Sequence, residues 1–150
     1  MNLFDQISGD IKSAMLAKDK VKLEALRNVK KCFLEAKTAP GAGDTLTDEA
    51  ALGILQKLIK QGRESARIYT EQNRPDLADG ELSQVHALEA YLPKQLSADE
   101  LDVEVKRFIA EAGATSIKDM GRVMRLATAG LAGRAEGGAI SAAVKKLLSA

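Results

Sequence analysis

Tyr91-Leu92-Pro93-Lys94-Gln95-Leu96-Ser97-Ala98-Asp99-Glu100 is the stretch that decides how this chain folds. Pro93 has no amide hydrogen to donate and biases Leu92 away from α geometry, so a helix arriving from the amino-terminal side must stop there. Ser97 and Glu100 then form the Ser-x-x-Glu signature of a capping box, and a new helix starts at once. The expectation is an all-α chain in two modules, four longer helices over residues 1–92 and three shorter ones over residues 93–150.

Working outward, each module reads as amphipathic helices. Asn2 caps a first helix, with Phe4, Ile7, Ile11 and Ala14 along one face. Lys18-Asp19-Lys20 is a charged break or bend, after which Leu23, Leu26, Val29, Phe33 and Ala36 line a second helix that ends before Pro40. Ala39 to Asp44 is a loop by composition. Thr47 caps a third helix, with Asp48 and Glu49 favourable to its dipole and Ala51, Leu55, Leu58, Gly62, Ala66 and Tyr69 inside. A glycine in mid-helix costs about 1 kcal/mol relative to alanine, and Gly62 on the apolar stripe points to close helix–helix contact. That helix stops near Asn73. Pro75 suits the first turn of a fourth, whose inner face carries Ala78, Leu82, Val85, Leu88 and Leu92.

Beyond the boundary, Leu101, Val105, Phe108 and Ala112 face inward, and Ser116 with Asp119 repeats the capping signature. Ile117, Met120, Met124, Ala127 and Leu131 then recur at helical spacing, and a final helix buries Ile140, Val144, Leu147 and Leu148. No segment shows the period-2 alternation of a strand.

Composition narrows the function classes. Hydrophobic content of 45% and charged content of 29% are ordinary for a soluble globular protein. With 3% aromatics and no Trp, stacking platforms for single-stranded bases are not expected. Net charge is +1, yet Lys12 to Lys37 holds eight basic residues against three acidic, and Ala112 onward holds six against two. Such local excesses matter for association even when the total does not. A single cysteine fits a reducing compartment, the opening residues resemble no secretory or transit signal, and no apolar run approaches membrane-spanning length, so cytoplasm and no membrane partner are the expectations.

Catalytic motifs are scarce. His86 is the only histidine, which excludes His pairs for zinc and reads as a rim or surface residue. Cys32 has Lys30 and Lys31 beside it, but its spacing from Val29 and Ala36 is that of a small apolar core group. No Gly-x-x-x-x-Gly-Lys-Ser/Thr phosphate loop occurs and the acidic residues are spread along helix faces. No catalytic residue, metal ligand or cofactor is expected.

What remains is the carboxy-terminal segment, Asp119 to Leu148. Lys118, Arg122 and Arg125 fall at i, i+4 and i+7, a cationic stripe on a solvent face. The loop Gly130-Leu131-Ala132-Gly133-Arg134-Ala135-Glu136-Gly137-Gly138 follows it. Arg134 and the amides of Gly137 and Gly138 at a helix start would suit an anion, with Gly133 shaping the loop. A basic face is also what an ordinary solvated helix carries. The basic helix of the first module, with Lys12, Lys18, Lys20, Lys22, Arg27, Lys30 and Lys31, would extend the same surface, yet its interruption by apolar positions fits an ordinary amphipathic helix and it is not counted as a site.

The order of these features resembles the YqeY family: Asp10-Ile11-Lys12, Ala17-Lys18-Asp19-Lys20, Leu26-Arg27, Lys60-Gln61, Tyr69, Asp76-Leu77-Ala78, the Tyr91 to Ser97 string, Met120-Gly121-x-Val123-Met124 and Gly133-Arg134-Ala135-Glu136-Gly137. The carboxy-terminal module of that family is similar to the tail domain of the B subunit of the glutamine-dependent aspartyl/glutamyl-tRNA amidotransferase. The resemblance implies a tRNA-binding accessory protein with a translation or amidotransferase partner. The phosphate contacts would be Lys118, Arg122, Arg125 and Arg134, with Gly133, Gly137 and Gly138 shaping the loop. It also implies an association with carbon–nitrogen ligase activity that would need partner subunits, since this chain shows no amidase nucleophile stretch and no nucleotide cradle. The alternative is a helical protein–protein adaptor without RNA. Two positions depart from the family pattern: Gly62 stands where relatives commonly carry a basic residue, and the final helix lacks the capping Asp, leaving Glu136 or Gly137 to serve.

Overall fold

The first helix opens where Asn2 Oδ1 accepts the Asp5 amide at 2.8 Å, in a computed structural model that describes residues 2–149. This is α1 (Leu3–Leu16). Lys18 adopts a left-handed φ of 56°, and Asp19 caps α2 (Lys20–Lys37) by accepting the Lys22 amide at 3.1 Å. The charged bend is therefore also a helix start. Thr47 Oγ1 accepts the Ala50 amide at 3.1 Å to open α3 (Asp48–Glu71), and Pro75 sits in the first turn of α4 (Pro75–Glu89). The Ser97/Glu100 capping box forms in both directions, at 3.0 and 3.2 Å, and starts α5 (Ala98–Ala112). That helix ends on Gly113 at φ 65°, the left-handed C-terminal geometry that glycine adopts without penalty. A single 3₁₀ turn (Ile117–Asp119) leads into α6 (Met120–Gly130), and α7 (Gly137–Ser149) closes the chain. The described residues contain no strand, and the fold is all-α.

The chain divides into two compact units, Met1–Leu92 and Pro93–Ala150, each with its own core. In the first, Ile7, Leu26, Val29, Phe33, Leu55 and Val85 are buried together. Each such side chain removed from water stabilises the fold by about 1.5–3 kcal/mol before entropy is counted. Gly62 provides the close approach: a Cβ there would lie 2.5 Å from Val85 Cγ2, so α3 and α4 pack nearer than alanine permits. Tyr91 Oη donates to Asp10 Oδ2 at 2.5 Å and ties the segment after α4 to α1.

In the second unit Leu101, Val105, Phe108, Val123, Leu131 and Val144 form the centre. A Cβ on Gly130 would stand 2.3 Å from Phe108 Cζ, so the end of α6 rests directly on that ring.

Several inward assignments change. Leu82 is 47% exposed, because the buried stripe of α4 runs through Ala78, Val85 and Leu88 and leaves Leu82 on its flank. Ile59, on the stripe of α3, is buried instead of Leu58, which is half-buried. Ile117 is 44% exposed since it belongs to the 3₁₀ turn, not to the register of α6. The face of α6 is set by Val123 and Ala127, with Met120 and Met124 half-buried beside them. On α7 the buried set is Ile140, Ala143 and Val144, with Leu147 and Leu148 half-buried.

Candidate functional site

The cationic residues of the second unit fall into two groups. Lys118 lies on the 3₁₀ turn, while Arg122 and Arg125 sit three residues apart on α6, and all three are exposed. The continuous stripe expected of one helix is interrupted, because a 3₁₀ turn has three residues per turn and breaks the α register. Arg122 Nη2 pairs with Asp119 Oδ1 at 2.9 Å, and Asp119 also accepts the amides of Thr115 and Ser116 at 2.9 and 3.3 Å. The Thr115 amide foremost, then the Ser116 amide and the Arg122 guanidinium, hold the Asp119 carboxyl below the usual carboxylate range. The Arg122 side chain is 56% exposed, and such a surface pair is weak and weakens further with salt. A polyanion can therefore displace Asp119 from it. Lys118 and Arg125 have no ion pair or hydrogen-bond partner among the described residues.

The second group lies beyond the other end of α6, which at 11 residues is about 16 Å long. Gly133 is buried at φ 77°, and its carbonyl accepts from Gln95 Nε2 at 2.6 Å. The adjacent Arg134 carbonyl accepts the Leu96 amide at 3.0 Å. With Leu131 and Ala135 buried on either side, the loop between α6 and α7 is part of the core. The left-handed backbone angle at Gly133 favours glycine there. Arg134 is half-buried at the rim of a groove of about 490 Å³ between α5 and α7, whose floor includes Leu96, Leu101 and Ala143. On the same rim Lys146 Nζ meets Asp102 Oδ2 at 2.7 Å. The Ser97 amide and hydroxyl hold Glu100 below its ordinary value, with Lys94 and Arg134 adding positive potential.

Gly137 and Gly138 form the start of α7, both exposed, and a Cβ at either would meet nothing within 4 Å. Packing does not demand glycine there. Its consequence is a helix start with uncovered amides at the positive end of the dipole.

Elsewhere, His86 is exposed on α4, and Cys32 is a free, half-buried thiol. Among the described residues no three His, Cys, Asp or Glu side chains are grouped to hold a metal, and no helix is long and apolar enough to cross a membrane. Two of the basic residues on α2 are occupied: the ammonium groups of Lys30 and Lys37 lie 6.0 and 4.6 Å from the centre of the Phe4 ring. Sequence reading did not find Gln95, or the Asp102–Lys146 pair. Their partners are 38 and 44 residues away, so no local spacing marks them, although Gln95 stands inside the string that carries the family resemblance.

Comparison with known proteins completes the picture. Residues 4–148 match the family described as Yqey-like protein. A protein named "altered inheritance of mitochondria protein 41, mitochondrial" from Vanderwaltozyma polyspora is 35% identical over 122 residues, 74% of this chain and 63% of that protein. Proteins of the same name from Saccharomyces cerevisiae and Lachancea thermotolerans are 28% and 29% identical over 98 and 97 residues, 65% of this chain and 52% and 51% of theirs. The chain thus spans less than two thirds of the length of these curated relatives. Their names overturn the cytoplasmic expectation, since the relatives are mitochondrial proteins. A lone cysteine and the lack of a membrane-length helix suit any reducing aqueous compartment and never discriminated among them. On the match over nearly its whole length, this chain belongs to the YqeY family.

Proposed function

We propose that the carboxy-terminal unit binds tRNA through its phosphate backbone, as an accessory to amidotransfer or translation machinery and with no chemistry of its own. The observation that carries this reading is the exposed set Lys118, Arg122 and Arg125, held only by the one weak surface pair to Asp119. Arg134, with the amides of Gly137 and Gly138, supplies a second anion-facing element at the far end of α6. Recognition of folded RNA by shape and backbone needs few aromatics, in keeping with a chain that has two Tyr, three Phe and no Trp. Any carbon–nitrogen ligase activity would belong to an assembly with partner subunits.

The test is binding of purified protein to deacylated tRNA over a salt series. Affinity should fall steeply with salt, and Arg122→Ala with Arg125→Ala should reduce the logarithmic slope by roughly 1.4–1.8. No binding at low salt disposes of the reading.

A second reading has its own observation. The groove beside Arg134, about 490 Å³ with an apolar floor, is of a size and character that suits a partner's side chains, and an adaptor would use it without RNA. Recovery of one protein partner that survives nuclease, from a chain that ignores tRNA, would favour that reading.

A further inference from the structure

In the first unit, α2, α3 and α4 enclose a notch of about 160 Å³. Five polar residues from three helices line it: Asn28 from α2, Gln61 and Ser65 from α3, Glu81 and Gln84 from α4. We propose that this notch binds a guanidinium group.

None of the five side chains makes a hydrogen bond or ion pair within the described residues. That sets them apart from their surroundings. On the same helices Arg63 pairs with Glu89, Arg67 with Glu64 and Glu71, and Arg74, just before α4, with Asp76. The hydroxyls of Ser13, Thr70 and Ser83 each donate to the carbonyl four residues earlier, as helical hydroxyls commonly do. The Ser65 hydroxyl does not. Glu81 is a half-buried carboxylate with no ion pair among the described residues.

Gly62 keeps the notch open. A Cβ at that position would sit 2.5 Å from Val85 Cγ2 and 4.0 Å from Glu81 Oε2, so between Gln61 and Ser65 the α3 wall carries no side chain at position 62. Val85 is β-branched and stiff, and it has little freedom to withdraw.

Size and chemistry then select the guest. Ligand pockets for drug-sized molecules run to roughly 300–1,000 Å³, so this notch takes a head group and not a nucleotide. Its one formal charge is negative and excludes phosphate. A carboxylate, three side-chain amides and a hydroxyl together offer many acceptors, and guanidinium brings five N–H donors in a plane. It is also more weakly hydrated than an ammonium, so it loses less on leaving water. The source is either a small guanidine or an arginine side chain presented by a partner.

The experiment is amide-resolved NMR titration of the full chain with methylguanidinium, N-acetyl-arginine amide and methylammonium. Both guanidinium probes should give saturable shifts confined to residues around 28, 61–65 and 81–85, with Kd on the order of 1–10 mM. Methylammonium should bind several-fold more weakly. Glu81→Gln should weaken guanidinium binding about tenfold or more with helicity unchanged, and Ser65→Ala should weaken it less. Tighter binding of the capped arginine than of methylguanidinium assigns the site to a protein side chain, and the reverse assigns it to a small guanidine. Shifts that never saturate, equal binding of methylammonium, or a Glu81→Gln chain that binds like the parent would each overturn the proposal. The tRNA reading survives such a failure, because it concerns another unit and a ligand of opposite charge.

Discussion

The two units bury their helices by different means. In the first, helices of 14 to 24 residues carry their own buried stripes, and the fully buried Ile7, Leu26, Val29, Phe33 and Leu55 all lie within them. In the second, helices of 11 to 15 residues are too short to enclose a core alone, and Leu131 and Ala135 from the loop after α6 complete it. The polar cross-links differ accordingly. Tyr91–Asp10 joins α1 to the segment that follows α4, whereas Gln95–Gly133 and Leu96–Arg134 fasten a loop to the segment that begins its unit. Long helices make burial a property of local periodicity; short ones leave part of it to chain segments with no period.

The largest expected effects test whether the cores stand apart. Phe33→Ala and Phe108→Ala each remove a buried ring and should cost about 3–5 kcal/mol. Residue-resolved denaturation should show the first variant weakening residues before Pro93 and the second those after it. One joint transition in both variants would break the distinction.

Intermediate effects come from the glycines. Overpacking a tight contact costs about 1–3 kcal/mol, so Gly62→Ala and Gly130→Ala should both destabilise despite a gain of up to about 1 kcal/mol in helix propensity. Gly53→Ala, where a Cβ meets nothing within 4 Å, should instead stabilise by up to about 1 kcal/mol. Denaturation midpoints with the same sign at all three positions would show that close approach is not what sets Gly62 and Gly130 apart.

The smallest effects concern pH. Burial, and then the Asp10 carboxylate, raise the Tyr91 phenol above its ordinary value. A folded-state value above the unfolded one gives stability that is present below about pH 10 and is lost as pH rises further. Melting between pH 9 and 11 should show that loss in the parent and not in Tyr91→Phe. In the second unit Asp119 and Glu100 are held below their ordinary values by hydrogen bonds. Their contribution is present above about pH 4 and fades as pH falls through the depressed values. Asp119→Asn should therefore flatten the acid limb of that unit.

Particular residues show where reading from sequence succeeds. Asn2, Thr47, Ser97 and Pro75 mark helix starts correctly because a cap or a missing amide acts within three or four residues of chain. The fourth helix, expected to run through Leu92 to Pro93, ends earlier, at Glu89. Gly62 announces a close contact, since a glycine on an apolar stripe needs a reason to be there. Gly130 gives no such sign, because it stands among other glycines of a loop and its partner Phe108 is 22 residues away. The exposure of Arg122 and Arg125 follows from the period of α6, yet the offset of Lys118 depends on a 3₁₀ turn that helical spacing does not reveal.

Fold class, helix starts and stops, and the basic character of the tail belong to the amino-acid sequence alone, because propensity, capping and charge act over a few residues. The division of cations around α6, the burial of Gly133 and Ala135, the groove beside Arg134 and the notch around Glu81 were decided by tertiary structure. Each requires side chains tens of residues apart to meet, and which of them meet depends on how whole helices pack.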